Sequence, residues 1–74
     1  MNETSVPQVL TIRVNGEEQA MGSPANVAAL VALRGPRSPF AVELNRKLVR
    51  RGEYELTPLR EGDVVEIVTL VGGG

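Results

Sequence analysis

The group in this sequence best suited to chemistry inside another protein is the α-carboxylate expected at the end of Gly72-Gly73-Gly74. A strand-like run, Val64-Val65-Glu66-Ile67-Val68-Thr69-Leu70-Val71, leads straight into these glycines. Glycine is a poor strand former and loses the most entropy on ordering, so three in succession do not build a core. They present a backbone thread without side chains, which can follow a channel too narrow for any Cβ. A frayed terminus or a linker has the same composition, and the tail by itself does not separate these readings.

The other side chains offer little to catalysis. With no cysteine there is no disulfide, thiolate nucleophile, persulfide or zinc-thiolate site. With no histidine, the usual acid-base group at neutral pH and the commonest metal ligand are also missing. Glu17-Glu18 and Glu53/Glu55 have no partner base, nucleophile or metal-ligand companion, and the internal glycines fall singly at turns without phosphate-cradling spacing. We expect a protein that is acted upon, not an enzyme, with no metal and no bound cofactor of its own. Arg46, Lys47, Arg50 and Arg51 form a basic cluster that suits an acidic surface or a phosphate. No aromatic residues interleave them as base-stacking requires, so we read a solvated strand edge that resists aggregation.

Composition sets the outer bounds. The 74 residues make one small domain, 42% hydrophobic and 23% charged, an ordinary globular balance. Eight basic and nine acidic residues leave a net charge of −1, so no overall field favours nucleic acid or an anionic membrane. The longest apolar run, around Val27 to Leu33, is far short of a membrane span. Met1 to Pro7 is polar and lacks a signal-peptide pattern, from which we expect a cytoplasmic protein.

The elements that must position the tail are legible from periodicity. Residues 1–8 read as a flexible arm. Val9 to Val14 alternates, with Leu10, Ile12 and Val14 on one face, and Asn15-Gly16 suits a type I′ turn into a second strand, Glu17 to Met21. Ser23 with Pro24 behind it suits the start of a helix, and Asn26 is a competing cap two or three residues later. Val27, Leu30, Val31 and Arg34 then share one helical face, and Gly35-Pro36 ends the helix. Phe40, Val42 and Leu44 predict a third strand. Asn45-Arg46-Lys47 reads as a turn, Leu48-Val49 as a short edge strand, and Arg50 to Glu55 as a helical turn or loop. Leu56, Pro58 and Leu59 are expected to cap the core, before the turn Glu61-Gly62-Asp63 and the closing strand. This order predicts an α+β fold of the β-grasp type, a mixed sheet of four to five strands spanning residues 9–71 with one helix across one face. On the closing strand, Val65 and Ile67 should point inward and Val68 and Leu70 outward. Val68 and Leu70, with Val71 beyond them, are candidate docking residues, unless a loop or the N-terminal arm covers them.

The stretch from Asp63 through Val71 into Gly72-Gly73-Gly74 resembles the C-terminal signature of the ubiquitin-like sulfur carrier family of thiamine biosynthesis. The similarity extends through Val42-Glu43-Leu44-Asn45, Thr57 to Asp63 and the Asn15-Gly16 hairpin. It departs at Arg46-Lys47, where small turn residues would be expected, and in the length of the arm before Val9. The resemblance implies that the carboxylate of Gly74 is activated by an ATP-dependent, E1-like adenylating enzyme and converted to a thiocarboxylate. Its sulfur, supplied by a sulfur donor protein, would pass to thiazole synthase. In that scheme Gly72 and Gly73 thread the partners' active sites, and ATP is used by the activating partner alone. Other readings are the small subunit of molybdopterin synthase, a ubiquitin-like modifier joined to target lysines, and a plain β-grasp interaction module. The first of these usually carries aromatic and proline residues before its glycines, and Ile67 to Val71 contains neither.

Overall fold

The computed structural model describes residues 8–70; Gly72, Gly73, Gly74 and Val71, like the arm before Gln8, lie outside the described residues. Strand β1 (Val9–Val14) buries Leu10, Ile12 and Val14, as its alternation requires. It turns into β2 (Glu17–Gly22) through Asn15 and Gly16, whose φ angles of 51° and 84° satisfy the two positive values of a type I′ turn. The antiparallel register runs from Val14↔Glu17 to Val9↔Gly22. The Ser23 amide, donating to the Gln8 carbonyl at 2.9 Å, adds one further rung.

Beyond β2 the structure departs from expectation. The helix does not start at Ser23-Pro24. Ala25 and Asn26 are extended as β3 (Ala25–Asn26), which pairs antiparallel with β6 (Pro58–Leu59) in a separate two-stranded sheet. Helix α1 (Val27–Arg34) follows, and its N-cap is the competing candidate, Asn26, whose Oδ1 accepts the Ala29 amide at 2.8 Å. Such a cap contributes about 1 kcal/mol. Gly35 closes the helix in the left-handed region (φ 56°), its amide donating to the Val31 carbonyl at 2.8 Å. Strand β4 (Phe40–Leu44) turns into β5 (Lys47–Val49) through Asn45 and Arg46, at φ 51° and 71°. This turn has the same handedness as the first, with arginine where glycine would be expected.

Arg51–Leu56 forms a 3₁₀ helix. It packs through Tyr54, whose ring lies 6.4 Å from that of Phe40, within the range of favourable aromatic pairs. Leu56, expected to cap the core, is 79% exposed and Pro58 is also exposed; Leu59 alone of the three is buried. A 3₁₀ turn repeats every three residues, so Tyr54 and Leu56 cannot face the same way.

The closing strand β7 (Val64–Thr69) takes the central place in a five-stranded mixed sheet ordered β2-β1-β7-β4-β5. It runs parallel to β1 and antiparallel to β4. The sheet's inner face and α1 share one core, in which Val14, Val27, Leu30, Val42 and Val65 are fully buried. Among the described residues no polar or charged side chain is buried.

The helix offers a direct test of this core. Leu30 is fully buried and Leu33 is 58% exposed. Leu30→Ala is expected to cost about 2–5 kcal/mol, a large share of a small domain's stability. Leu33→Ala should stay within about 0.5 kcal/mol. Urea unfolding midpoints measure both, and equal losses would mean that the helix packs on a different face.

Candidate functional site

The described residues end at Leu70, so the site can be followed to the root of the glycine thread and no further. That root is β7. On its β4 side the pairing is continuous from Leu44↔Val65 through Val42↔Ile67 to Phe40↔Thr69, and the Leu70 amide extends it by donating to the Pro39 carbonyl at 2.8 Å. On its β1 side the backbone pairing is much shorter, covering only Arg13↔Val64 and Val14↔Val65. The Arg13 amide donates to the Asp63 carbonyl and the Asn15 amide to the Val65 carbonyl, each at 2.9 Å, before the chain turns away into β2.

Two asparagine side chains complete the grip. Asn15 Nδ2 donates to the Ile67 carbonyl at 3.1 Å, and its Oδ1 accepts the Ile67 amide at 2.8 Å. At the other end of β7, the Asn45 amide donates to the Val64 carbonyl at 2.7 Å and its Oδ1 accepts the Val64 amide at 2.9 Å. Asn45 Nδ2 also donates to Asp63 Oδ1 at 3.0 Å, while Asp63 Oδ2 accepts the Arg60 amide at 2.8 Å. Asparagine tolerates the left-handed backbone of both turns, which leaves its carboxamide free to act at a distance. Sequence reasoning assigned Asn15 to its turn alone and missed this second role. The available signal was the repetition of asparagine at the first position of both turns.

The faces of β7 are as expected. Val65 and Ile67 are buried, and Val68 and Leu70 are each 48% exposed. Val68 lies opposite Ala41 on the outer face, and no loop among the described residues covers either residue. Val64 and Leu48 are exposed on the same face. Val71, the third expected docking residue, and the threading residues Gly72 and Gly73 are outside the described residues, as is Gly74. Arg46, Lys47, Arg50 and Arg51 lie exposed along and beside the edge strand β5, two strands away from β7, with Val49 level with Ile67 through Val42. Among the described residues no three acidic, histidine or cysteine side chains gather as a metal site, and no helix is long and apolar enough to cross a membrane.

What this geometry can do is hold a central strand on both sides, beside an outer sheet face on which Val64, Val68 and Leu70 are exposed together with the paired Glu43 and Glu66. The model of the ThiS family matches residues 4–74, including β7 and the three glycines. The chain belongs to the ThiS family. This is the sulfur carrier family of thiamine biosynthesis, and its members are small carriers with a ubiquitin-like β-grasp fold. The crystal structure of the thiamine biosynthesis protein ThiS from Geobacter metallireducens matches with a TM-score of 0.74 at 28% identity, covering 88% of this chain and all of that one. A thiazole synthase from Paramagnetospirillum magneticum is 37% identical over 62 residues, which cover 82% of this chain. The ThiS-like segment spans only 19% of that protein's length.

Because Val68 and Leu70 point away from the core, Val68→Lys and Leu70→Lys are expected to change stability by no more than about 1 kcal/mol. Val65→Lys, which puts a charge in a fully buried position, should prevent stable folding. Thermal denaturation followed by circular dichroism distinguishes them; unfolding by either outward substitution would show that this face is covered.

Proposed function

We propose that Gly74 is the carrying residue and that its α-carboxylate is the site of modification. A carboxylate is a poor electrophile. An ATP-dependent adenylating enzyme of the E1-like kind would join it to AMP with release of pyrophosphate. A sulfur nucleophile held as a persulfide on a sulfur donor protein would then attack the acyl carbon and expel AMP, and a second thiol would cleave the resulting acyl disulfide, leaving a thiocarboxylate and a disulfide between the two thiol sulfurs. Thiazole synthase would take that sulfur into the thiazole ring. ATP serves the activating partner, and the carrier itself binds no cofactor. The reading places the protein in the cytoplasm, where ATP is available.

The observation that carries this reading is the family match over residues 4–74, which includes the glycines following a strand fixed at the centre of the sheet. The sequence supports it chemically. In a chain without cysteine a side-chain thiol cannot hold the sulfur, which leaves the backbone carboxylate as carrier. Gly72 and Gly73 let the backbone approach ATP in an enclosed site. Ordering the thread there costs roughly 1–2 kcal/mol per residue fixed. The Paramagnetospirillum protein, named a thiazole synthase, contains a segment like this chain, which supports a working association between such carriers and such synthases. Val68, Leu70 and Val71 would dock the partners beside the thread, since an open apolar patch is a common basis for association.

Removal of Gly74, or Gly73→Ala, is expected to abolish sulfur loading without altering the fold. Loading is read as a gain of about 16 Da in intact mass, sulfur replacing oxygen. Unchanged loading of either variant would overturn the mechanism, and high-mass conjugates would point instead to a protein modifier. Val68→Asp and Leu70→Asp should weaken capture by the adenylating enzyme about tenfold or more. Binding at wild-type strength would remove this face from the docking surface.

A further inference from the structure

We infer that Asn15 is a positioning residue for the glycine thread, acting through Ile67. The inference rests on the carrier reading above. It starts from a mismatch in length within the sheet: on its β1 side, β7 has backbone partners only as far as Val65, where β1 turns away. Ile67 is the next residue whose amide and carbonyl face that side, and it would stand at an open edge. The Asn15 carboxamide offers one N–H donor and one carbonyl acceptor, the same pair that a strand backbone would supply. It engages both Ile67 groups, at 3.1 and 2.8 Å, in a partly buried setting. The strand is thereby paired on both sides through Ile67.

The position of that last two-sided contact matters for a thread that has to enter an active site. Gly74 is the seventh residue after Ile67, and a fully extended chain of seven residues reaches about 23–25 Å. Beyond Ile67 only β4 accompanies the strand, as far as Leu70, and a twist of about 20° in that one-sided stretch would displace the far end of an extended thread by up to about 8 Å. A reacting carboxylate must be placed to a small fraction of that distance. Asparagine fits the role on two counts. It accepts the φ of 51° at this turn, and its side chain both donates and accepts. Glycine would accept the backbone and supply neither bond; aspartate would supply only the acceptor.

Asn45 provides a matched control on the same strand. It occupies the equivalent turn position at the same φ, and its side chain also bonds the β7 backbone, but at Val64, the end remote from the thread. In amide hydrogen exchange, Asn15→Gly is expected to speed exchange at Ile67 about tenfold, the scale of losing two modest hydrogen bonds, and Asn45→Gly to do so at Val64 instead. In adenylation assays with the cognate activating enzyme, Asn15→Gly should raise the apparent KM for the carrier about tenfold with kcat unchanged. Asn15→Asp should recover part of that loss, and Asn45→Gly should leave KM where it is. Unaltered exchange at Ile67 in Asn15→Gly, or an equal rise in KM for Asn15→Gly and Asn45→Gly, would overturn the inference. Failure of the wild-type chain to be adenylated would instead overturn the carrier reading, and the exchange pattern would still decide whether Asn15 orders the strand.

Discussion

The whole arrangement depends on how β7 is held at the middle of the sheet. Its neighbours are β1, about 50 residues earlier in the chain, and β4, and only β4 is long enough to accompany it to its end. The shortfall on the β1 side is made up by the carboxamide of Asn15, while Asn45 fastens the strand's beginning and orients Asp63. Buried or half-buried backbone groups left without partners are costly, so these side chains are part of the sheet as much as its strands are. With β7 fixed, the inner face closes over Val65 and Ile67, and the outer face is left to Val68 and Leu70.

A domain of this size has little interior in which to build a site. The buried set is apolar throughout among the described residues, and the charged side chains lie at edges and turns or, like Arg13, Glu43 and Glu66, on the outer face of the sheet. The proposed chemistry therefore makes no demand on the core. It asks the fold for a root held on both sides, exposed apolar residues beside it, and a continuation free of side chains. The first two are features of the described structure, and the third is written in residues 72–74. On the proposed reading, a protein with neither cysteine nor histidine takes part in sulfur chemistry by leaving the reactive machinery to its partners.

Much of the fold was legible because strands buried on one face must alternate. Val9 to Val14 and Phe40 to Leu44 show that period plainly, and Asn15-Gly16 identifies the turn between β1 and β2. The features that escaped are those set by contacts distant in sequence. Two-residue strands such as β3 and β6 have no period to detect, and their pairing decided between Ser23 and Asn26 as the helix cap. Leu56 was misplaced because an apolar side chain does not announce its direction; the tight 3₁₀ turn directs Tyr54 to the core and leaves Leu56 in solvent. The second left-handed turn was obscured by Arg46 at a φ of 71°. The Asn15 carboxamide reaches across 52 residues of sequence, a separation at which local pattern is silent.

The order of strands has a bearing on biosynthesis. The first hairpin leaves the ribosome with the β1 edge unpaired, and the residues that cover it are translated about 50 positions later. At ordinary elongation rates that interval is on the order of several seconds, much longer than a hairpin takes to form. During it the nascent chain carries an open sheet edge, of the kind that invites intermolecular pairing. Arg13 and the flanking Glu17 and Glu18 are exposed on this hairpin, and their charges would discourage such contacts until β7 arrives.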